Sequence, residues 1–181
     1  MMRKLSTDEI SQKRLKSDSI PQTDRLPLTV LVENVRSLYN VGSIFRTSDG
    51  VRLQHLLLTG YTPTPPRKEI EKTALGATES VPWSYSRDPI ACLKALKSEG
   101  IRICCLEQTD KSIPYFEIHK SDFPLCLVLG NEVSGVSRSL IEQCDLAIEI
   151  PMFGRKHSLN VAVAYGIAVF HLSRAWKETG H

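Results

Sequence analysis

Several features that would settle the chemistry at once are missing from this sequence. Its five cysteines, Cys92, Cys104, Cys105, Cys126 and Cys144, contain no C-x-x-C pair. Four of them sit in apolar runs, so buried reduced thiols are expected and a zinc or other metal site is not. No G-x-G-x-x-G and no G-x-x-x-x-G-K-[ST] occurs, which removes the dinucleotide fingerprint and the phosphate loop of nucleotide hydrolases. The longest apolar run, Leu159 to Leu172, is interrupted by Asn160, Gly166 and His171. It is shorter than the roughly 20 residues that cross a membrane. The amino terminus has no apolar h-region, and no internal repeat is visible. A cytoplasmic protein without a membrane partner is therefore expected. Strong charge is lacking too: 23 Lys and Arg against 20 Asp and Glu leave a net charge of +3, which permits an anionic partner without demanding one.

What is present fits a soluble globular chain. With 181 residues, 41% hydrophobic and 24% charged, one domain with a substantial core is the default. Residues 1–27 form a mildly basic arm, with Arg3, Lys4, Lys13, Arg14, Lys16 and Arg25 against Asp8, Glu9, Asp18 and Asp24. Ser6 or Thr7 ahead of Asp8-Glu9 predicts a helix start in that arm. Residues 28–177 carry the domain itself.

Apolar runs predict strands at Leu28–Val32, Leu53–Thr59, Ile101–Leu106, Leu125–Leu129 and Leu146–Ile150, and alternation predicts a short one at Val81–Tyr85. Asn40 is placed to cap a helix whose inner face is Val41, Ile44, Phe45 and Ser48, with Gly50 stopping it. Gly60–Pro66 holds three prolines and reads as irregular, followed by a short helix over Glu69–Ala77. Asp88 caps and Pro89 opens a helix with Ile90, Leu93 and Leu96 inward. Thr109–Phe123 reads as an irregular connection, Ser137–Cys144 as a helix, and Leu159–Lys177 as a long last helix. Strands alternating with helices predict an α/β fold, a mostly parallel sheet flanked by helices.

Loops after parallel strands are where such folds bind ligands. Leu129-Gly130-Asn131-Glu132-Val133-Ser134-Gly135 and Ile150-Pro151-Met152-Phe153-Gly154 both leave strands, and Ser158-Leu159-Asn160 opens the last helix, where unpaired N–H groups gather. The glycines let backbone approach a nucleotide-like ligand; read one at a time, they also serve as ordinary turn glycines, and Ser158 as an ordinary cap.

Taken together, the three segments are more specific. An N-x-G-S/A-I-x-R-T segment (Asn40 to Thr47), an L-G-x-E-x-x-G segment (Leu129 to Gly135) and an I-P-M-x-G…S-L-N-V-x-V-A segment (Ile150 to Ala164), in this order, resemble the SpoU/TrmH family of RNA ribose 2'-O-methyltransferases in the SPOUT superfamily. The resemblance spans about Leu28 to Trp176. It implies a carboxyl-terminal deep trefoil knot, which pattern reasoning alone does not give because knots are rare exceptions. It also implies S-adenosylmethionine as cofactor, and a homodimer whose active site draws on both subunits. On the same resemblance Leu129, Gly130, Asn131, Ile150, Met152 and Leu159 would line the cofactor pocket. Glu132, Ser158 and Asn160 would form its polar floor near the reacting centre. Asn40 and Arg46 would stand on the substrate side, Arg46 as the catalytic arginine, facing a cofactor held by the other subunit.

Arginine stays protonated in proteins. Holding it neutral near neutral pH costs about 7 kcal/mol or more, so a phosphate clamp is the expected role rather than a base. His157, between Lys156 and Ser158, reads as part of a basic rim with Arg155 and Lys156. Trp83 reads as packed. The stretch Thr62 to Glu69 followed by Lys72 to Ala77 is similar to one in tRNA-directed relatives. RNA is thus the implied partner, with tRNA favoured over ribosomal RNA; a non-catalytic RNA-binding protein of the same fold is the alternative.

Overall fold

A computed structural model describes residues 2–12 and 25–178. Helix α1 (Thr7–Gln12) starts where the arm's polar pattern predicts, with Ser6 Oγ accepting from Glu9 N–H (3.3 Å) and Glu9 accepting from Ser6 N–H (2.8 Å). The remainder of the predicted arm helix lies outside the described residues.

The apolar runs become parallel strands. In chain order these are β1 (Leu26–Glu33), β2 (Leu53–Thr59), β3 (Trp83–Ser86), β4 (Arg102–Leu106), β5 (Ile113–Pro114), β6 (Leu125–Leu129) and β7 (Leu146–Glu149). They form one seven-stranded sheet in the order β3-β2-β1-β6-β4-β7-β5, with every described pairing parallel. Because side chains alternate across a strand, a strand buried on both faces must be apolar throughout. In β1, Leu28, Val30 and Val32 enter one core and Leu31 the other; in β6, Leu125, Leu127 and Leu129 oppose Cys126 and Val128.

Helices cover both faces. On one side lie α2 (Leu38–Gly50), α3 (Lys68–Ala74), α4 (Ala77–Ser80) and α7 (Val161–Lys177). On the other lie α5 (Pro89–Ser98) and the single turn α6 (Arg138–Ile141), which bring Leu93 and Leu140 into the second core. The predicted inner face of α2, Val41, Ile44, Phe45 and Ser48, is fully buried. There Ser48 Oγ meets Tyr165 Oη of α7 at 2.7 Å, and burial pushes the Tyr165 phenol up. Trp83 packs edge-to-face against Phe45, centroids 6.0 Å apart. Burial also raises the Cys104 thiol, and pushes that of Cys126 up to about 12.

Four expectations need revision. Helix α2 begins earlier, because Ser37, not Asn40, is its N-cap; Ser37 Oγ accepts from Asn40 N–H at 3.3 Å. The helix expected over Glu69–Ala77 is two pieces, broken where Leu75 takes φ 51° and Gly76 φ 86°. Thr109–Phe123 is not wholly irregular: it adds the edge strand β5 and two 3-10 turns. The helix expected over Ser137–Cys144 is only one turn of α-helix.

Candidate functional site

Parallel strands put the ends of β4, β6 and β7 on the same edge of the sheet. Over that edge opens a cleft of about 430 Å³, within the usual range for small-molecule sites. It is lined by Leu106, Leu129 and Ile150 at the strand ends, by the loop after β6, and by Met152, Ser158 and Leu159 from the segment after β7. Of the residues predicted to hold a ligand, Leu129, Gly130, Asn131, Glu132, Ile150, Met152, Ser158 and Leu159 line this cleft, whereas Asn160, expected beside them in its polar floor, does not.

The loop after β6 is a tight return. Asn131 N–H donates to the Gly135 carbonyl (3.0 Å) and Gly135 N–H to the Asn131 carbonyl (2.9 Å). Glycine is required at both ends of it. A Cβ on Gly130 would collide with the Gly135 carbonyl carbon and the Val136 nitrogen. Gly135 has φ +68°, and a Cβ there would strike the Glu107 carboxylate. Asn131 fills the return: its Oδ1 accepts from Val133 N–H (2.9 Å) and Ser134 N–H (3.1 Å), while its Nδ2 donates to the Asn34 carbonyl (2.7 Å) and Tyr61 Oη (3.2 Å).

Glu132 leaves that loop toward the start of α2. Its Oε2 accepts from Arg36 N–H (2.9 Å), and its Oε1 from Ser37 N–H (2.9 Å) and Asn40 Nδ2 (3.0 Å). A carboxylate at a helix N-terminus meets unpaired donors and the positive end of the helix dipole. Partial burial opposes its charge, but those three hydrogen bonds outweigh it and hold the Glu132 carboxyl below its ordinary value. Asn40 Oδ1 in turn accepts from Asn160 Nδ2 (3.1 Å), and Asn160 Oδ1 accepts from Ala162 and Val163 N–H as the N-cap of α7. One hydrogen-bond chain thus joins all three sequence segments, Glu132 to Asn40 to Asn160.

Arg46 stands apart. It is exposed, does not line the cleft, and makes no hydrogen bond or ion pair among the described residues. Six residues beyond Asn40, it lies about 9 Å along the helix and about 120° around it. His157 lines the cleft but is held by its backbone, its carbonyl accepting from Gln108 Nε2 at 2.6 Å.

Sequence reasoning missed the support for the loop. Glu107, just past β4, accepts from Val136 N–H (2.9 Å) and Gln108 N–H (2.9 Å), and the buried Glu33 accepts from Ser137 N–H (2.8 Å). Neither belongs to a motif; acids at the ends of apolar runs were the available signal. The cleft's charge is one-sided, since Glu107, Glu132 and Glu149 line it with no Lys or Arg. Such a site suits a cationic ligand with apolar parts. Among the described residues no group of three or more His, Cys, Asp or Glu could hold a metal, and no helix is long and apolar enough to cross a membrane.

Comparison with known proteins gives a consistent result. Residues 27–170 match the SpoU rRNA Methylase family. The chain is 31% identical, over 94% of its length and 81% of the relative's, to tRNA (guanosine(18)-2'-O)-methyltransferase of Aquifex aeolicus. It is 32% identical, over 79% of its length and 56% of the relative's, to 23S rRNA (guanosine(2553)-2'-O)-methyltransferase RlmP of Bacillus subtilis. The AdoMet-bound rRNA methyltransferase of Sinorhizobium meliloti superposes with a TM-score of 0.76 at 27% identity, covering 86% of this chain and 60% of that one. The chain spans about six tenths of the length of several other curated relatives it matches.

Proposed function

The chain belongs to the SpoU methylase family, and from that premise we propose that it is an S-adenosylmethionine-dependent RNA ribose 2'-O-methyltransferase acting on tRNA. The observation that carries this reading is the acid-lined cleft meeting the Glu132–Asn40–Asn160 hydrogen-bond chain. A cofactor with a sulfonium and an adenosine needs an anionic wall beside apolar surface, and the cleft supplies both. When bound, S-adenosylmethionine supplies a methyl group activated for attack by a ribose 2'-hydroxyl.

Leu129, Gly130, Asn131, Ile150, Met152 and Leu159 would hold the adenosine side. Glu132 and Ser158 would supply the polar lining, with Asn160 just outside it, reaching Asn40. Asn40, tied to both Glu132 and Asn160, orients the substrate side. Arg46 would clamp the phosphate beside the reacting ribose and stabilise charge developing on its oxygen.

The same reading includes a homodimer, a knotted carboxyl-terminal loop and a cytoplasmic location. For the dimer, Val163, Ile167 and Phe170 recur at i, i+4 and i+7 on α7 and are exposed, an apolar stripe of the kind that interfaces cover. The Phe170 ring lies 3.5 Å from where a Cβ on Gly50 would stand, so the stripe reaches the end of α2, the helix that carries Arg46. An arginine without a partner among the described residues, on the helix whose end the stripe reaches, supports a site completed across the dimer.

tRNA is favoured because the relative matched over 81% of its length is named for a tRNA position, whereas the relative named for 23S rRNA is matched over 56%. The test is transfer of labelled methyl from S-adenosylmethionine to RNA from cells lacking the gene, separated by size, with Arg46→Ala alongside. Alkali-resistant label in the tRNA fraction, absent with the variant, is expected. Label only in large RNA would move the substrate to the ribosome; bound cofactor with no label anywhere would favour a non-catalytic RNA binder.

A further inference from the structure

A second cleft of about 390 Å³ opens where the loop after β1 meets the loop after β2. Its character is opposite to that of the first. Arg36, Arg67, Tyr61 and Tyr85 line it together with Leu38, Thr62 and Pro63, and no acid does. Both arginines are exposed, and neither guanidinium makes an ion pair among the described residues.

The tyrosines are exposed yet held. Tyr61 is 61% and Tyr85 49% accessible to solvent. Tyr85 Oη donates to the Gly60 carbonyl at 2.7 Å, Tyr61 Oη accepts from Asn131 Nδ2 at 3.2 Å, and Tyr61 N–H donates to Asn34 Oδ1 at 3.0 Å. The segment beneath them is fixed as well. Buried Thr62 Oγ1 donates to the Val32 carbonyl (3.1 Å) and accepts from Val35 N–H (3.1 Å). Rings anchored in this way lose little freedom when something stacks on them.

The two clefts share a boundary. Asn131, which lines the acidic cleft, bonds Tyr61 of the basic one, and Glu132 accepts from the backbone of Arg36. A ligand bridging them must therefore be anionic and aromatic on one side while presenting its reacting group to the other.

We infer that this Tyr61–Tyr85–Arg36–Arg67 cleft is the seat of an unstacked nucleotide of the RNA substrate, its base lying on the tyrosines and a flanking phosphate held by the arginines. This rests on the methyltransferase reading and adds to it the place where substrate is selected. Stacking serves any base, and guanidinium groups take phosphate bidentately, so the subsite selects RNA that can splay a nucleotide out of a helix.

The test uses the full chain and a fluorescein-labelled single-stranded oligoribonucleotide, followed by anisotropy, with the matching duplex as a second probe. Calorimetric titration of S-adenosylmethionine runs in parallel. Tyr61→Leu is expected to weaken single-strand binding by about fivefold or more. Tyr61→Phe, which loses the same hydroxyl but keeps the ring, should stay within about twofold of wild type. Arg67→Gln should weaken binding and lower the slope of log affinity against log salt by about one. Cofactor affinity should be equal in Arg67→Gln and wild type, and the duplex should bind more weakly than the single strand. Unchanged RNA affinity in Tyr61→Leu, Tyr85→Leu and Arg67→Gln, with a wild type that binds and methylates RNA, would overturn the subsite alone. A wild type that binds cofactor but no RNA would overturn the broader reading, and the subsite with it.

Discussion

Arg46 is exposed and makes no hydrogen bond or ion pair among the described residues. A planar guanidinium and a compact ammonium carry the same charge, but only the first can grip two phosphate oxygens at once. Arg46→Lys should therefore lower kcat by about a hundredfold, in line with losing one preorganised donor at a developing oxyanion. Cofactor affinity, read by titration, should not move. A lysine enzyme of nearly full activity would remove the clamp from the mechanism.

Glu132 makes a prediction about pH. Its three hydrogen bonds keep the folded-state pKa below the ordinary carboxylate value. The stability they contribute is then fully present above that ordinary value, and is lost as pH falls through the lower, folded one. Glu132→Gln should be less stable than wild type at neutral pH, and the gap should close in urea titrations as pH falls below the ordinary carboxylate range. A gap independent of pH would mean that shape, not charge, holds the start of α2.

Among the elements, α7 depends most on one residue. Asn160 caps it through Oδ1 and reaches Asn40 through Nδ2, so the two functions can be separated. Asn160→Ala should lose both, with about 1 kcal/mol of stability gone. Asn160→Asp keeps the capping oxygen but replaces the donor with a second acceptor facing Asn40. It should melt close to wild type yet transfer methyl poorly; an active Asp variant would sever the link between the chain of side chains and the chemistry.

The legible elements were those whose boundaries are marked chemically. β2 and β6 match their apolar runs residue for residue, and α5 starts at the Asp88-Pro89 pair. Helix α2 was misplaced because Ser37 and Asn40 are both capping types three residues apart. Periodicity cannot choose between them; the carboxylate of Glu132, arriving from 95 residues downstream, settles Asn40 as a helix residue. Leu75 was invisible for a related reason, since nothing local marks a leucine for the left-handed region. Within the site, the cleft walls followed from the loops after β6 and β7. Glu107 and Tyr61 did not, because their roles depend on which strands lie side by side, and strand order is not written in any one segment.

At the scale of the molecule, the exposed stripe of α7 predicts the assembly. Phe170→Glu should shift the protein from dimer to monomer in sedimentation and abolish methyl transfer; a wild type that sediments as a monomer would refute the arrangement. If Arg46 serves the opposite subunit, mixing inactive Arg46→Ala with inactive Asn160→Asp should restore activity through hybrid dimers carrying one intact site. Failure of the mixture, with exchange of subunits demonstrated, would return Arg46 to its own chain.

The Ser48–Tyr165 contact lines neither cleft, yet it fixes α7 against α2. Among the described residues these two buried hydroxyls bond only each other, so sliding α7 along α2 by a single residue would strand both at a cost of about 1–3 kcal/mol apiece. The two helices are doweled. A push on the exposed side of α7, from a second subunit or from RNA, is passed on to α2 as rigid displacement rather than absorbed as slippage, and the spacing between Asn160 and Asn40 travels with it unchanged.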